Sequence, residues 1–199
     1  MLKENGVETK RLLFLSISFV IALSIARADD AIRFPSPDGK FAMLLVEQEK
    51  AQVKIQLIEV NSRKVVLDLA DSGHPHSDDC KLLWTPDSQR VAFFEANRRG
   101  GDTTVYFRND SGFSEVHLPE LPSCQTRAKK NESGIFKGIE SNIAPKEWLK
   151  TGALVVTDDE GWEMQDGELR GCTQTVTISF DANHKASVQR VTGKKAKQY

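Results

Sequence analysis

The chain is short of cysteine, of net positive charge and of long apolar runs, and it lacks every common catalytic fingerprint. Three cysteines, Cys80, Cys124 and Cys172, are too few for a disulfide scaffold. A formal net charge of −1 over 199 residues argues against a general electrostatic role on DNA or RNA. Beyond Ile25 no stretch is long and apolar enough to cross a bilayer, which takes roughly 20 residues. There is no G-x-S-x-G elbow, no glycine-rich phosphate loop, no dinucleotide fingerprint and no D-x-[DN]-x-[DN]-G calcium loop. The four histidines, His74, His76, His117 and His184, have no serine or cysteine partner that sequence pairs with them. Any two of the 28 acidic residues could be nominated as a glycosidase pair, so none is.

What is present begins with a leader. Lys3, Lys10 and Arg11 precede the apolar run Leu12 to Ile25, and Ala26-Arg27-Ala28 gives an A-x-A site. That order is the pattern of a secretory signal peptide over 1–28, with a single membrane anchor as the alternative. No cysteine follows the run at a lipoprotein-like position. Cleavage removes four basic and two acidic residues and takes the formal charge from −1 to −3. The expected location is the periplasm or the extracellular space, with no stable membrane span after cleavage.

The body, 29–192, is organised around Cys80 to Asn97, C-K-L-L-W-T-P-D-S-Q-R-V-A-F-F-E-A-N. Two apolar runs flank Thr85-Pro86-Asp87-Ser88. Proline fixes φ there, and the aspartate accepts from a backbone N–H two residues on, so the stretch reads as strand, turn, strand. Phe34-Pro35-Ser36-Pro37-Asp38-Gly39-Lys40-Phe41-Ala42 is an earlier copy, one residue shorter before the alanine. Trp148 to Val156 is a third copy without the Pro-Asp pair. Alternation marks strands at 52–60 and 173–180, and shorter runs fill in at 41–46, 63–69, 103–108 and 113–118. Units at about 31–70, 80–120 and 144–192 follow, with an irregular insert over 121–143 and a basic tail over 193–199. Within the insert, 135–139 reads equally as strand or helix. Pro145 suggests a helical turn over 144–149, 97–102 a hairpin loop, and 158–171 an acidic excursion.

W-T-P-D-S-Q-R-V-A-F and F-P-S-P-D-G-K-F-A resemble the Pro-Asp class of WD-like β-propeller repeats. That class occurs in the periplasmic translocation protein of the Tol system and in the propellers of prolyl-oligopeptidase-type enzymes. The resemblance implies an all-β fold of three antiparallel four-stranded blade-like meanders. Three units fall short of the roughly 4–8 blades that close a ring, so the expected form is an incomplete propeller or a distorted sandwich.

Candidate sites are few. His74, His76, Asp78, Asp79 and Cys80 gather two imidazoles, two carboxylates and a thiol in one loop, a possible metal set. Their spacing fits no standard site, and the plainer reading is a polar loop between units. Asp158-Asp159-Glu160-Gly161 with Glu163, Asp166 and Glu168 offers hard oxygens for calcium, against a solvated hairpin loop. Trp84 and Trp148 recur at equivalent places and read as core anchors. Trp162, in the acidic stretch, reads as an exposed aromatic for partner contact, together with Arg98 and Arg99 in the 97–102 loop. An oxidising compartment allows one cysteine pair to form a disulfide. Cys124 with Cys172 is preferred because both lie in turn-rich segments, and three free thiols are the alternative. The function expected is an exported, non-enzymatic binding or structural module. Its partner would be a protein or cell-envelope component, a second copy included, and it would need no cofactor. The alternative is a metal-binding protein or metal-dependent hydrolase on the His74–Cys80 loop, with the metal ion as its cofactor.

Overall fold

A computed structural model describes residues 31–48, 52–72, 79–124 and 135–198. Among these the chain is all-β. The first meander is β1 (Ala31–Arg33), β2 (Phe41–Glu47), β3 (Val53–Glu59) and β4 (Val65–Ser72), antiparallel in chain order. The second is β5 (Cys80–Trp84), β6 (Arg90–Asn97), β7 (Gly100–Asn109) and β8 (Gly112–Val116). The third is β9 (Ile135–Trp148), β10 (Leu154–Met164), β11 (Leu169–Phe180) and β12 (Ala186–Gln198). A short parallel bridge, Gly100 to Ser141 and Gly101 to Asn142, joins β7 to β9 and fuses the last two meanders into one eight-stranded sheet.

The turns that start each meander are built alike. In the first, the Ser36 N–H bonds the Phe41 carbonyl at 2.8 Å and the Gly39 N–H bonds the Ser36 carbonyl at 2.8 Å. In the second, the Thr85 N–H bonds Arg90 O and the Ser88 N–H bonds Thr85 O, both at 2.9 Å. The hydroxyls of Ser36 and Thr85 each donate to the aspartate two residues on, at 2.6 Å, and each accepts an N–H from five residues on, at 3.0 Å. The fourth position is left-handed in both, with Gly39 at φ 69° and Ser88 at φ 58°. The two turns are therefore equal in length: Phe41 matches Arg90 and Ala42 matches Val91, so the shorter first copy read from the alanines is corrected. In the third turn, Leu149, Gly152 and Ala153 make the two backbone bonds without hydroxyl or carboxylate.

Strand alternation sends side chains to two cores. Phe41, Met43, Ile55 and Leu57 of the first meander pack with Cys80, Leu82, Val91, Phe93 and Tyr106 of the second. From the second meander's other face, Ala92, Val105, Phe107 and Val116 pack with Leu154, Val156, Val176 and Ile178 of the third.

Several local expectations are corrected. Residues 135–139 are strand, and 144–148 continue it instead of turning as helix. Pro145 is buried opposite Val156, beside a register shift, on a stretch of β9 whose only partner among the described residues is β10. A bulged edge needs no N–H there. The 97–102 loop shrinks to a two-residue turn at Arg98-Arg99. The acidic excursion is mostly β10, β11 and a short turn at 165–168. Residues 193–198 belong to β12.

Candidate functional site

His74, His76 and Asp78 lie outside the described residues. Asp79 is half-buried, and its carbonyl accepts the Ala96 N–H at 2.6 Å. Cys80 is free, 1 % exposed and part of the first core. Burial first, then the charges of Glu95 and Asp79, push its thiol up to about 12.

Arg98 and Arg99 are exposed at the tip of the β6–β7 hairpin. Asn97 Oδ1 accepts the Arg99 N–H at 2.8 Å, and the Arg99 carbonyl accepts the Ser141 N–H at 3.0 Å. The next residue, Gly100, has φ 138°, and a Cβ there would lie 1.7 Å from the Ser141 carbonyl oxygen. The hairpin is thus pinned to the third meander by a contact only glycine permits.

Trp162 corrects its expected setting. It lies in β10, 7 % exposed, packed with Met164, Cys124 and Cys172. An aromatic in an acidic string reads as exposed, but strand alternation turns it inward.

Around it stands a polar cluster formed by Ser123, Asp158, Glu160 and Gln174. Residues 117–124 leave β8 as an extended strap carrying Pro119 and Pro122. Cys124 is bonded to Cys172 across a Cα–Cα distance of 6.0 Å. Beneath the strap, cross-strand register sets Asp158 against Gln174 and Glu160 against Cys172. Residues two apart share a face, so Asp158 and Glu160 sit together there. Glu160 accepts the Cys124 N–H at 2.9 Å and the Ser123 hydroxyl at 2.8 Å. Gln174 Nε2 donates to Asp158 Oδ2 at 2.7 Å and to the Pro122 carbonyl. Asp158 is 3 % exposed and Gln174 fully buried, and Gln174 Oε1 has no hydrogen-bond partner among the described residues. Burial raises the Asp158 pKa, Gln174 opposes it, and the charges of Glu160 and Asp159 raise it further.

The remaining acids of the run disperse. Asp159 accepts from Thr173, Glu163 pairs with Lys137 at 2.9 Å, and Glu168 pairs with Arg170 at 2.8 Å. Glu160 also lies near both cysteine sulfurs, all ligand atoms within 4.8 Å, but sulfurs joined as a disulfide are not thiolate ligands. The acidic excursion over 158–171 reads in the sequence as hard oxygen ligands or a solvated hairpin loop, which hides the pairing of Asp158 and Glu160 with Gln174 and Cys172. Its signal is parity: Asp158 and Glu160 on one strand, Cys172 and Gln174 on the next.

The joints between meanders repeat. Trp84 Nε1 donates to the Phe34 carbonyl at 3.0 Å, and Trp148 Nε1 donates to the Leu83 carbonyl at 2.9 Å. Phe34 and Leu83 stand at matching places, each two residues before its turn hydroxyl or its equivalent (Ser36, Thr85). At the first joint Asp38 N–H bonds Ser88 Oγ at 3.0 Å, and Arg108 reaches Asp38 at 3.4 Å. At the second, Arg90 Nη1 donates to the Gly152 carbonyl at 2.7 Å while its guanidinium covers Phe107.

No protein-family model matches the chain, and comparison with curated sequences finds no match. A crystal structure of TolB from Acinetobacter baumannii is similar over 82 % of this chain and 44 % of that one, at 13 % identity and a TM-score of 0.31. The chain therefore spans less than half the length of that protein. No helix among the described residues is long and apolar enough to cross a membrane.

Proposed function

We propose that the chain is an exported, non-enzymatic binding or structural module that engages a protein or another cell-envelope component. The observation carrying this reading is the repeated joint, Trp84 to Phe34 and Trp148 to Leu83, which makes three meanders one stacked platform. Of the polar groups near the turns, Asp38, Ser88 and Arg90 make contacts between meanders, while Thr85 and Asp87 bond within their own turn. What it presents outward includes the Arg98-Arg99 tip, fixed rather than floppy because Gly100 and Ser141 lock its base. A rigid exposed arginine pair suits an acidic or carboxylate-bearing partner surface. The metal reading of the His74–Cys80 loop is the weaker one, because Cys80 is 1 % exposed and packed among the apolar side chains of the first core.

Site-specific photo-crosslinking from Arg99 in cells tests the proposal, with Asp110, at the other end of β7, as the control position. One discrete adduct from position 99, lost in Arg98→Ala, is expected. Identical patterns from both positions would refute it. Mass spectrometry of the purified protein checks export: a mature chain beginning at Asp29 is expected, and an intact leader would contradict it.

A further inference from the structure

β12 is the longest of the three strands that end the meanders, 13 residues against 8 in β4 and 5 in β8. Among the described residues it pairs with β11 alone, so its other side is an open sheet edge. In an antiparallel strand with one neighbour, about half of the N–H and C=O groups point away from it, toward any further extended backbone. Ser187, Gln189, Arg190, Gly193 and Lys195 are exposed along this edge.

Charge says which backbone fits. From Lys185 to Gln198 there are five basic residues and no acidic one, whereas β4 carries Asp68 and Asp71, and β8 carries Glu115. Two register shifts arrange the basic groups. One leaves Gln189 extra between the Val188–Ile178 and Arg190–Thr177 pairs. The other sets Gly193 and Lys194 against Gln174, with Gly193 left-handed at φ 68°. Arg190, Thr192 and Lys195 therefore stand opposite Thr177, Thr175 and Thr173 on one face, at spacings that plain alternation would split between two. Lysines and bulges on an edge discourage pairing with a second copy, which would set like charges opposite each other. An acidic strand meets no such repulsion.

We propose that β12 takes an extended acidic segment of a partner protein as an added strand, backbone to backbone, with carboxylates set against Arg190 and Lys195. An anionic lipid surface would answer the charge and leave the edge unpaired, so the peptide is the occupant that uses both features. This surface is distinct from the Arg98-Arg99 tip. Gly100, Ser141, Glu160, Cys172 and Ala196 form one rung across the sheet, which puts four strand spacings, about 19 Å, between the two. Either surface can fail without the other.

The test uses the full chain and a labelled ten-residue peptide of alternating glutamate and valine, followed by fluorescence anisotropy. Saturable binding that weakens with salt is expected, with slower hydrogen exchange at the β12 amides. The same peptide N-methylated at two adjacent central residues keeps its charge but has neither edge whole, and it should bind at least tenfold more weakly. Arg190→Glu with Lys195→Glu changes two exposed side chains and should also cost at least tenfold, while Arg98→Ala should leave binding unchanged. No binding by the wild-type chain would overturn the proposal, as would equal binding of the methylated peptide or of the Arg190 and Lys195 double variant. Loss in Arg98→Ala would move the peptide to the hairpin tip and overturn it too. Phosphatidylglycerol vesicles that protect the same amides would overturn it in favour of a lipid surface.

Discussion

Replacing Trp148 by phenylalanine isolates one joint. The indole donates to the Leu83 carbonyl at 2.9 Å and packs against Phe180, ring centres 5.8 Å apart. Phenylalanine keeps a ring for that contact but loses the N–H and the second ring. The lost hydrogen bond costs about 1 kcal/mol. The apolar area given up, on the order of 40 Å² at about 25 cal/mol per Å², adds about 1 kcal/mol. A loss of about 2 kcal/mol corresponds to about 4–8 °C in thermal midpoint for a domain of this size. Trp84→Phe should fall by a similar amount, because it removes the matching bond to Phe34 at 3.0 Å. Urea unfolding with an unchanged m-value is the assay. Stability within about 0.5 kcal/mol of wild type for both variants, inside the usual range for surface substitutions, would refute the idea that these indoles hold the meanders together.

Other perturbations have equally definite outcomes. Gly100→Ala puts a Cβ 1.7 Å from a backbone oxygen, so β7 and β9 should part, with amide exchange rising at Gly100, Gly101 and Ser141; unchanged protection would contradict this. Removing the disulfide with Cys124→Ser and Cys172→Ser frees a link spanning 48 residues and should cost about 4 kcal/mol on a chain-entropy basis, read by denaturation. The turn aspartates contribute to the acid limb. The Thr85 hydroxyl, then the Gln89 N–H, hold Asp87 below its ordinary value; burial would raise Asp38, but Ser36, Lys40 and Arg108 outweigh it. Folded pKa values below the unfolded ones give stability that is present above about pH 4 and lost as pH falls through the folded values. Asp87→Asn should therefore lose less stability than wild type on acidification, and an identical acid limb would contradict that assignment.

The meander order was legible because its signals are local. Pro37-Asp38 and Pro86-Asp87 announce turns whose bonds close within five residues, and Thr173 to Phe180 alternates cleanly between faces. Features that depend on register or distant partners were not legible. Pro145 looks like a helix start, and it sits in a strand where β9 pairs only with β10 among the described residues, beside a register shift. Trp162 among acids looks solvent-facing until the register of β10 and β11 turns it under a strap some 40 residues earlier. The Asp158–Gln174 cluster depends on a hairpin centre at 165–168, and the acidic residues spread over 158–171 do not mark where that centre falls. Gly100 gives no hint of its purpose, since the oxygen it makes room for belongs to Ser141. The Cys124–Cys172 bond draws together segments that the sequence described only as turn-rich.

Nuclear Overhauser contacts from the tryptophan indoles test the stacked arrangement most directly. The account requires cross-peaks from the Trp148 indole N–H to Leu83 and from the Trp84 indole N–H to Phe34, with ring contacts from Trp84 to Phe113 and from Trp148 to Phe180. Spectra in which either indole N–H shows contacts only within its own meander would contradict it.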